Sequence, residues 1–222
     1  DKVGVMLARD ISAIYPNARF VADVKSTGLF KTDPVLKQNG AHTDYWKTGH
    51  SYMKRYSFET KALVGFEKSG HFFFNPPLGQ GYDDGLVAAL AVCDMLDRAP
   101  DKSLADLKKA LPKTWQSPTM APHCPDEKKY EVVGRVVEHY QKLKAEGGTI
   151  AGQKIADLIT VNGIRVVLED GTWGLVRASS NKPELVVVVE SPTSEANMRA
   201  IFADIDGVLS KMPEVGEYNQ KI

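Results

Sequence analysis

The sequence has few cysteines, no net charge and no long hydrophobic run. Its two cysteines, Cys93 and Cys124, are spaced like neither a zinc motif nor a redox pair, so we expect no disulfide framework. Isolated thiols of this kind are typical of a reducing, cytoplasmic compartment. No apolar run approaches the roughly 20 residues of a membrane-spanning helix, and no signal peptide opens the chain, so no membrane partner is expected.

Positive and negative charges balance, with 28 Lys and Arg residues against 28 Asp and Glu. Because such a balance attracts neither nucleic acid nor an anionic membrane, we expect no nucleic-acid partner, and any anion site must be local. The chain starts with Asp1 inside a helical pattern rather than with Met, which indicates that it belongs to a longer polypeptide. Its 222 residues suit one or two domains.

Residues 1–117 predict an open-sheet α/β domain. Apolar residues recur on one face of the first helix, and Phe20–Val24 follows as a short strand with a polar exit loop. Open α/β domains bind ligands at the carboxyl ends of their strands, so such exit loops are candidate sites. Asp84 is predicted to cap a later helix. The expected buried face of that helix comprises Leu86, Ala89, Leu90, Cys93 and Leu96.

Residues 118–222 predict an α+β domain with a mostly antiparallel sheet. Four prolines between residues 112 and 125 favour a linker, which places the boundary near Ser117-Pro118 and allows a first strand over Met120–His123. A helix with Tyr130 on its buried face comes next. Several short strands follow, one of them at Trp173–Ala178, and two others flank the hairpin turn Asn162-Gly163. Ser194 is predicted to cap a final helix.

The segment Gly65–His71 lies between two apolar runs and carries an acid, an ammonium, a hydroxyl and an imidazole. A loop at the end of a buried strand presents such groups from a rigid base. The set can hydrogen-bond the hydroxyls of a sugar, and His71 can move a proton near neutral pH. An ordinary polar turn would contain similar residues, so the pattern alone leaves both interpretations open.

The segment Arg177–Pro183 is chemically the best anion site in the sequence. Arg177 can contact two phosphate oxygens at once, and Lys182 adds a point charge. The hydroxyl and amide side chains between them are donors, and a tight turn also exposes backbone N–H groups. The alternative is a polar hairpin turn without a ligand.

Four stretches of the chain, in order, resemble motifs of the α-D-phosphohexomutases, a family that includes the phosphomannomutases/phosphoglucomutases and the phosphoglucosamine mutases. They are Asp23–Thr27 (family Asp-Val-Lys-Cys-Thr), Trp46–His50 (Trp-Lys-Thr-Gly-His), Glu67–His71 (Gly-Glu-x-Ser-Gly-His) and Arg177–Pro183 (Arg-x-Ser-x-Thr-x-Pro). Ser26, Phe66 and Asn181 depart from the family's Cys, Gly and Thr. The resemblance covers essentially the whole chain. It identifies residues 1–117 with the third, sugar-binding domain of a four-domain enzyme and residues 118–222 with the fourth, phosphate-binding domain.

The resemblance also implies roles for individual residues. His71 would assist proton transfer to the reacting hydroxyl, and Glu67 and Ser69 would bind sugar hydroxyls. Lys25 and His50 would line the pocket. The non-reacting phosphate would be held by the loop residues Arg177, Ser179, Ser180, Asn181 and Lys182.

The whole enzyme would then interconvert hexose 1-phosphate and hexose 6-phosphate, of mannose or glucose, with Mg²⁺ as cofactor and hexose 1,6-bisphosphate as activator. The family loops that carry the phosphoserine (Thr-x-Ser-His-Asn-Pro) and hold the magnesium (Asp-Gly-Asp-Gly-Asp-Arg) do not occur in this sequence. We therefore expect no metal site in this chain, and we expect the chain alone to be inactive. Its partners would be the phosphosugar and the missing N-terminal domains of the same polypeptide.

Three other interpretations deserve comparison. The chain could belong to a phosphoglucosamine mutase, whose central loop is similar, or it could be a phosphosugar-binding module without chemistry. A serine hydrolase built on Ser69 and His71 is disfavoured, because residues two apart on one loop rarely reach nucleophile–base geometry. A metal role for Asp83, beside Asp84, is also disfavoured, since hard metals gather several oxygen ligands and only a pair is visible.

Overall fold

The structure, a computed structural model, describes residues 1–222 and divides into two compact units, 1–112 and 113–222. The division therefore lies a few residues before the predicted boundary near Ser117. The short strand Trp115–Gln116 pairs within the sheet of the second unit. Met120–His123, expected as a strand, makes only isolated bridges to Val187, Tyr218 and Glu184.

The first unit contains a mixed four-stranded sheet with helices around it. Its elements are α1 (Lys2–Ile14), β1 (Arg19–Asp23), α2 (Leu29–Thr32), α3 (Pro34–Gln38), β2 (His42–Trp46), α4 (His50–Glu59), β3 (Val64–Phe66), β4 (Phe72–Phe74), α5 (Gly85–Asp97) and α6 (Leu104–Lys109). The strand order is β2-β1-β3-β4. Strand β1 runs parallel to β2 and β3, whereas β4 is antiparallel to β3. The predicted α/β class is confirmed.

The parallel strands explain where the polar loops of this unit meet. Because β1, β2 and β3 point the same way, their carboxyl ends share one edge of the sheet. The loops that leave this edge carry Lys25, His50 and Glu67. Central strand β1 is fixed below them by fully buried Phe20 and Val21, so the edge rests on a packed core.

Helix α5 begins as the sequence predicts but buries a different face. The Asp84 carboxylate accepts hydrogen bonds from the N–H groups of Leu86 and Val87, which confirms it as the N-cap. The expected buried face is wrong: Leu86 is 70% exposed and Leu90 56% exposed, whereas Met95 is the only buried residue of the helix. Periodicity shows which side chains share a stripe, but it does not show whether another layer covers that stripe.

The second unit is an α+β layer built on a six-stranded antiparallel sheet. Its elements are β5 (Trp115–Gln116), α7 (Lys129–Ala145), β6 (Thr149–Ile150), β7 (Gln153–Ile159), β8 (Ile164–Leu168), β9 (Trp173–Ala178), β10 (Leu185–Ser191) and α8 (Glu195–Leu209). The strand order is β5-β10-β9-β8-β7-β6. The predicted α+β class and the β7–β8 hairpin at Asn162-Gly163 are both confirmed.

Helices α7 and α8 contribute to one apolar cluster with this sheet. Val136 and Tyr140 of α7 and Ile201 and Ile205 of α8 are all buried in it. Tyr130, expected on the buried face of α7, is instead 67% exposed, because the stripe that packs is centred on Val132, Val136 and Tyr140. In neither unit is any helix both long enough and apolar enough to cross a bilayer.

Candidate functional site

A buried carboxylate, Asp23, connects the three loops at the carboxyl edge of the first sheet. Asp23 is fully buried at the end of β1. Its oxygens accept hydrogen bonds from Ser26 Oγ at 2.7 Å, Thr48 Oγ1 at 3.1 Å and the Lys68 backbone N–H at 3.3 Å. Each donor lies on a different loop, so one carboxylate fixes the three loops relative to each other.

Lys25 lies beside this carboxylate. Its ammonium is 3.5 Å from Asp23 Oδ2, and its side chain is 15% exposed. The pair keeps the ammonium at the loop edge while one side of it faces solvent. A cation held in this way is a suitable contact for a phosphate or a sugar hydroxyl.

The Glu67–His71 loop is held by its own backbone and by its carboxylate. Glu67 N–H donates to the His71 carbonyl, and Gly70 N–H donates to the Glu67 carbonyl. Gly70 has φ +100°, a conformation that L side chains rarely adopt. The loop is therefore a tight turn between β3 and β4 rather than an open one.

Glu67 is only 4% exposed, and both of its carboxylate oxygens have partners. Oε1 accepts the Gly49 N–H at 2.7 Å, and Oε2 accepts the Ser69 hydroxyl at 3.2 Å. Gly49 precedes α4, so Glu67 also fixes the start of that helix. A carboxylate accepts about four hydrogen bonds, so these two do not use its full capacity.

Two imidazoles and a carboxylate meet beside this turn. His71 Nδ1 is 2.7 Å from Asp83 Oδ2, and His50 Nε2 is 3.4 Å from the same oxygen. The two imidazole rings lie 4.6 Å apart at 65°. A carboxylate that bonds one ring nitrogen orients the ring and fixes its tautomer, which leaves the other nitrogen for proton transfer.

In the second unit, the predicted anion loop joins β9 to β10. Arg177, near the end of β9, is 6% exposed and donates from Nη1 to the Ala178 carbonyl at 2.8 Å. Ser179 is 7% exposed, and its N–H donates to the Glu184 carbonyl. Ser180, Asn181 and Lys182 form the exposed tip of the turn.

Two neighbouring features support this loop. The Lys129 ammonium, on α7, donates to the Lys182 carbonyl at 3.1 Å and forms an ion pair with Asp126 at 2.6 Å. Gly163 has φ +74°, and a Cβ there would lie 2.2 Å from the Val176 carbonyl and 2.7 Å from the Arg177 Cα. Only glycine therefore lets the β7–β8 turn pass so close to Arg177.

The structure brings Lys25, His50, Glu67, Ser69 and His71 to one edge of the first sheet. The candidate phosphate residues share one turn of the second unit. Sequence reasoning missed Asp23 as the connecting carboxylate, and it considered Asp83 only as half of an acidic pair. The signal for Asp23 was its place as a lone charge at the end of an apolar strand, where a buried carboxylate needs several donors.

The magnesium that the resemblance implies does not fit the residues of this chain. The structure contains one group of three side chains able to ligate a metal, His50, His71 and Asp83, and two of its three ligands are nitrogens. Magnesium requires near-octahedral oxygen ligands. These residues are therefore not assigned to magnesium.

Comparison with known proteins gives a consistent family. Residues 1–115 match the profile described as phosphoglucomutase/phosphomannomutase, alpha/beta/alpha domain III, and residues 123–208 match the C-terminal domain of that family. A phosphomannomutase/phosphoglucomutase of Pseudomonas putida is 31% identical over 201 residues, covering 90% of this chain and 40% of that protein. A crystal structure of a phosphoglucomutase/phosphomannomutase family protein from Burkholderia thailandensis has a TM-score of 0.74 and 28% identity, covering 97% of this chain and 42% of that one.

A more distant structure is the N-acetylphosphoglucosamine mutase of Aspergillus fumigatus in complex with GlcNAc-6P and magnesium. Its TM-score is 0.59 at 9% identity, over 95% of this chain and 43% of that chain, which is a likeness of fold alone. The chain spans about two-fifths of the length of its relatives. With both domain profiles matched in order along one chain, the protein belongs to the phosphoglucomutase/phosphomannomutase family, the α-D-phosphohexomutases, and comprises its domain III and its C-terminal domain.

Proposed function

We propose that this chain supplies the sugar- and phosphate-binding domains of a phosphohexomutase that interconverts the 1- and 6-phosphates of mannose or glucose. The observation that carries the proposal is the convergence on Asp23 of three loops, each of which contains one of the motifs. Family membership and the name of the Pseudomonas putida relative, a phosphomannomutase/phosphoglucomutase, support the reaction class.

In the first unit, the proposal assigns sugar recognition to Glu67 and Ser69. Their mutual hydrogen bond positions both groups, and the remaining acceptor positions of the carboxylate suit neighbouring sugar hydroxyls. Lys25 contributes a cation to the same edge, and His50 borders it from the start of α4. Phosphohexomutase catalysis is mainly positioning and charge stabilisation, which are the contributions these residues can make.

His71 is the proposed acid–base residue. As the phosphoryl group reaches the sugar oxygen, the hydroxyl loses its proton, and a neutral imidazole can accept that proton and return it in the reverse step. Asp83 acts as a positioning residue, because its hydrogen bond to Nδ1 aims Nε2 away from the carboxylate. Acid–base assistance of this kind contributes about 10²- to 10⁴-fold in rate.

In the second unit, Arg177, Ser179, Ser180, Asn181 and Lys182 are the proposed contacts of the non-reacting phosphate. Arg177 and Ser179 are buried at the base of the turn, whereas the other three lie at its exposed tip. This change from exposed tip to buried base suits an anion that enters from solvent and binds the Arg177 guanidinium. Asn181 replaces the family's Thr with another hydrogen-bond donor.

The phosphoserine and the magnesium would come from the missing N-terminal domains, with hexose 1,6-bisphosphate as the activator. The length of the relatives supports this division, since the chain covers 40% of the Pseudomonas putida protein. The chain alone would then bind a phosphosugar without turning it over.

Two alternatives remain in the proposal. A glucosamine phosphate could replace the hexose phosphate, and Lys68 does not decide between them; only an ammonium close to the sugar would disfavour a protonated amino sugar. A binding module without chemistry would retain both loops but would stay inactive even with the complete polypeptide.

A coupled mutase assay tests the proposal. We expect no turnover of glucose 1-phosphate by the chain alone with Mg²⁺ and glucose 1,6-bisphosphate, and turnover once the N-terminal domains are supplied. In the complete enzyme, His71→Ala should lower kcat by about 100-fold or more, because it removes the proton acceptor. The control His42→Ala changes an exposed histidine at the opposite end of β2 and should leave kcat unchanged.

Three results would contradict parts of the proposal. Turnover by the chain alone would refute its inactivity. A complete polypeptide that binds glucose 6-phosphate yet interconverts neither glucose, mannose nor glucosamine phosphates would favour the binding module. A preference for glucosamine phosphate would correct the substrate.

A further inference from the structure

His50, His71 and Asp83 have the geometry of a partly assembled metal centre. The ligand atom of each residue lies within 4.8 Å of the other two. Asp83 Oδ2 is 2.7 Å from His71 Nδ1 and 3.4 Å from His50 Nε2. Three candidate ligand atoms from separate parts of the chain thus lie within one small volume.

The spacing suits a small tetrahedral cation. With zinc bonds of about 2.0–2.1 Å, neighbouring ligand atoms of a tetrahedron lie roughly 3.4 Å apart. The distance from His50 to Asp83 already has this value, and the distance from His71 to Asp83 needs to open by less than an ångström. Because the three side chains are 56%, 45% and 25% exposed, small rotations are available and an ion can enter directly from solvent.

The backbone holds these ligands on defined elements. His50 begins α4, and His71 immediately precedes β4, next to the fixed turn at Gly70. Asp83 forms an antiparallel bridge with Phe73 of β4, and the Phe73 ring contacts the His50 ring at a centroid distance of 5.4 Å. Ligands on paired backbone keep their relative positions, which lowers the entropy cost of binding an ion.

The donor set selects the class of metal. Two imidazole nitrogens and one carboxylate oxygen suit Zn²⁺, Co²⁺ or Ni²⁺, whereas Mg²⁺ requires oxygen ligands. We propose that His50, His71 and Asp83 bind one zinc-class divalent cation, with the remaining coordination position occupied by water.

The site would also regulate the reaction, a consequence that rests on the proposed function. Zinc would occupy both imidazoles that the proposal assigns to the sugar pocket, so metal and hexose phosphate should compete. Zinc should then inhibit the complete enzyme, and added hexose phosphate should reduce that inhibition.

Calorimetric titration of the chain with ZnCl₂ near neutral pH tests the binding itself. All proteins carry Cys93→Ser, because the exposed Cys93 thiol is another zinc ligand. We expect one zinc per chain and a loss of affinity of at least about tenfold in each of His71→Ala and Asp83→Asn. Mg²⁺ in excess should not displace the zinc. Circular dichroism of each variant establishes that it is folded.

The chain offers a matched control in His42. Its Nε2 lies 3.0 Å from Asp44 Oδ1, so it is an exposed histidine–carboxylate pair without a second imidazole. His42→Ala should keep the wild-type zinc affinity. Co²⁺ should give the intense visible absorption of four-coordinate cobalt in wild type and His42→Ala, but not in His71→Ala.

Zinc affinity that survives both His71→Ala and Asp83→Asn, or that falls equally in His42→Ala, would overturn the proposed site. Zinc binding at this site without inhibition of an active complete enzyme would uphold the metal site and refute the assigned roles of the two imidazoles. Failure of the site and failure of the proposed function are therefore separate outcomes.

Discussion

At the scale of single residues, one carboxylate in each unit accepts hydrogen bonds from several residues. Asp23 gathers donors from three loops in the first unit. In the second unit, half-buried Asp170 accepts hydrogen bonds from Thr172 in its own turn, from Thr193 and from Asn197 of α8. Such networks are costly to break, because a donor left without its partner in a buried place loses its hydration as well.

The Asp23 network predicts a large difference between two aspartates of the same sheet. Asp23→Ala should lower the free energy of unfolding of the first unit by about 3 kcal/mol, since it removes a buried charge partner of Lys25. Asp44→Ala breaks surface pairs with Arg19 and His42, whose side chains are 44% and 63% exposed, and should cost less than about 1 kcal/mol. Urea unfolding measures both. Equal losses of unfolding free energy in the two variants would show that Asp23 does not hold the three loops together.

Asp170 predicts an acid-sensitive step in the second unit. Burial alone would raise the pKa of this carboxyl, but hydrogen bonds from Thr193, Thr172 and Asn197 outweigh burial and hold the pKa below its usual range. The folded state therefore resists protonation more than the unfolded chain. The resulting stability is fully present above the ordinary pKa of about 3.9 and is lost as the pH falls below it.

Asp170→Asn should accordingly lower the stability of the second unit at pH 7 by about 1–3 kcal/mol, and its difference from wild type should shrink as the pH falls towards 3. Glu169→Gln, which changes the exposed neighbouring carboxyl, serves as the control and should follow wild type. Thermal unfolding at several pH values measures both variants. A difference that grows at low pH would contradict the assigned direction.

At the scale of elements, helix α5 shows that the start of a helix can be predicted from the sequence although its buried face cannot. Its start at Asp84 could be predicted because a cap is a local interaction of a few residues. Its buried face could not, since burial depends on which layers the rest of the fold places nearby. Strand β9, predicted at Trp173–Ala178, was correct to the residue because its flanking turns are local too.

Two apolar residues of α5 test the corrected face. Met95 is 4% exposed and Leu86 is 70% exposed, and both occupy helical positions. Met95→Ala should cost about 2–5 kcal/mol of unfolding free energy by leaving a cavity. Leu86→Ala should change it by no more than about 0.5 kcal/mol, because alanine also favours the helix. A larger loss of unfolding free energy in Leu86→Ala than in Met95→Ala would support the buried face that periodicity predicted.

The arrangement of loops around Asp23 could be predicted only in part from the sequence. Each loop motif is visible in the sequence, and parallel strands predict that their exit loops share an edge. Which groups connect the loops cannot be predicted from the sequence. Asp23, Thr48 and Lys68 come from segments up to 45 residues apart and meet only through the strand order β2-β1-β3. The same holds for Asp83, which reaches His71 through its bridge to Phe73.

At the scale of the whole molecule, each unit presents one cluster of candidate ligand-binding side chains. The first unit carries Glu67, Ser69 and His71 at one edge of its mixed sheet. The second carries a cationic turn at the end of an antiparallel hairpin. Family membership explains why both occur on one chain, and the proposed function requires that each recognise a different part of the same ligand.

An amide NMR titration of the chain with glucose 6-phosphate, beside inorganic phosphate, tests this account most directly. We predict that both ligands shift the resonances of Arg177–Lys182, and that only glucose 6-phosphate also shifts those of Gly65–His71. Arg177→Ala should weaken the response to both ligands, because it removes the buried guanidinium. Glucose 6-phosphate that leaves both segments unshifted at saturating concentration would contradict the assignment of these loops as the phosphosugar-binding surfaces.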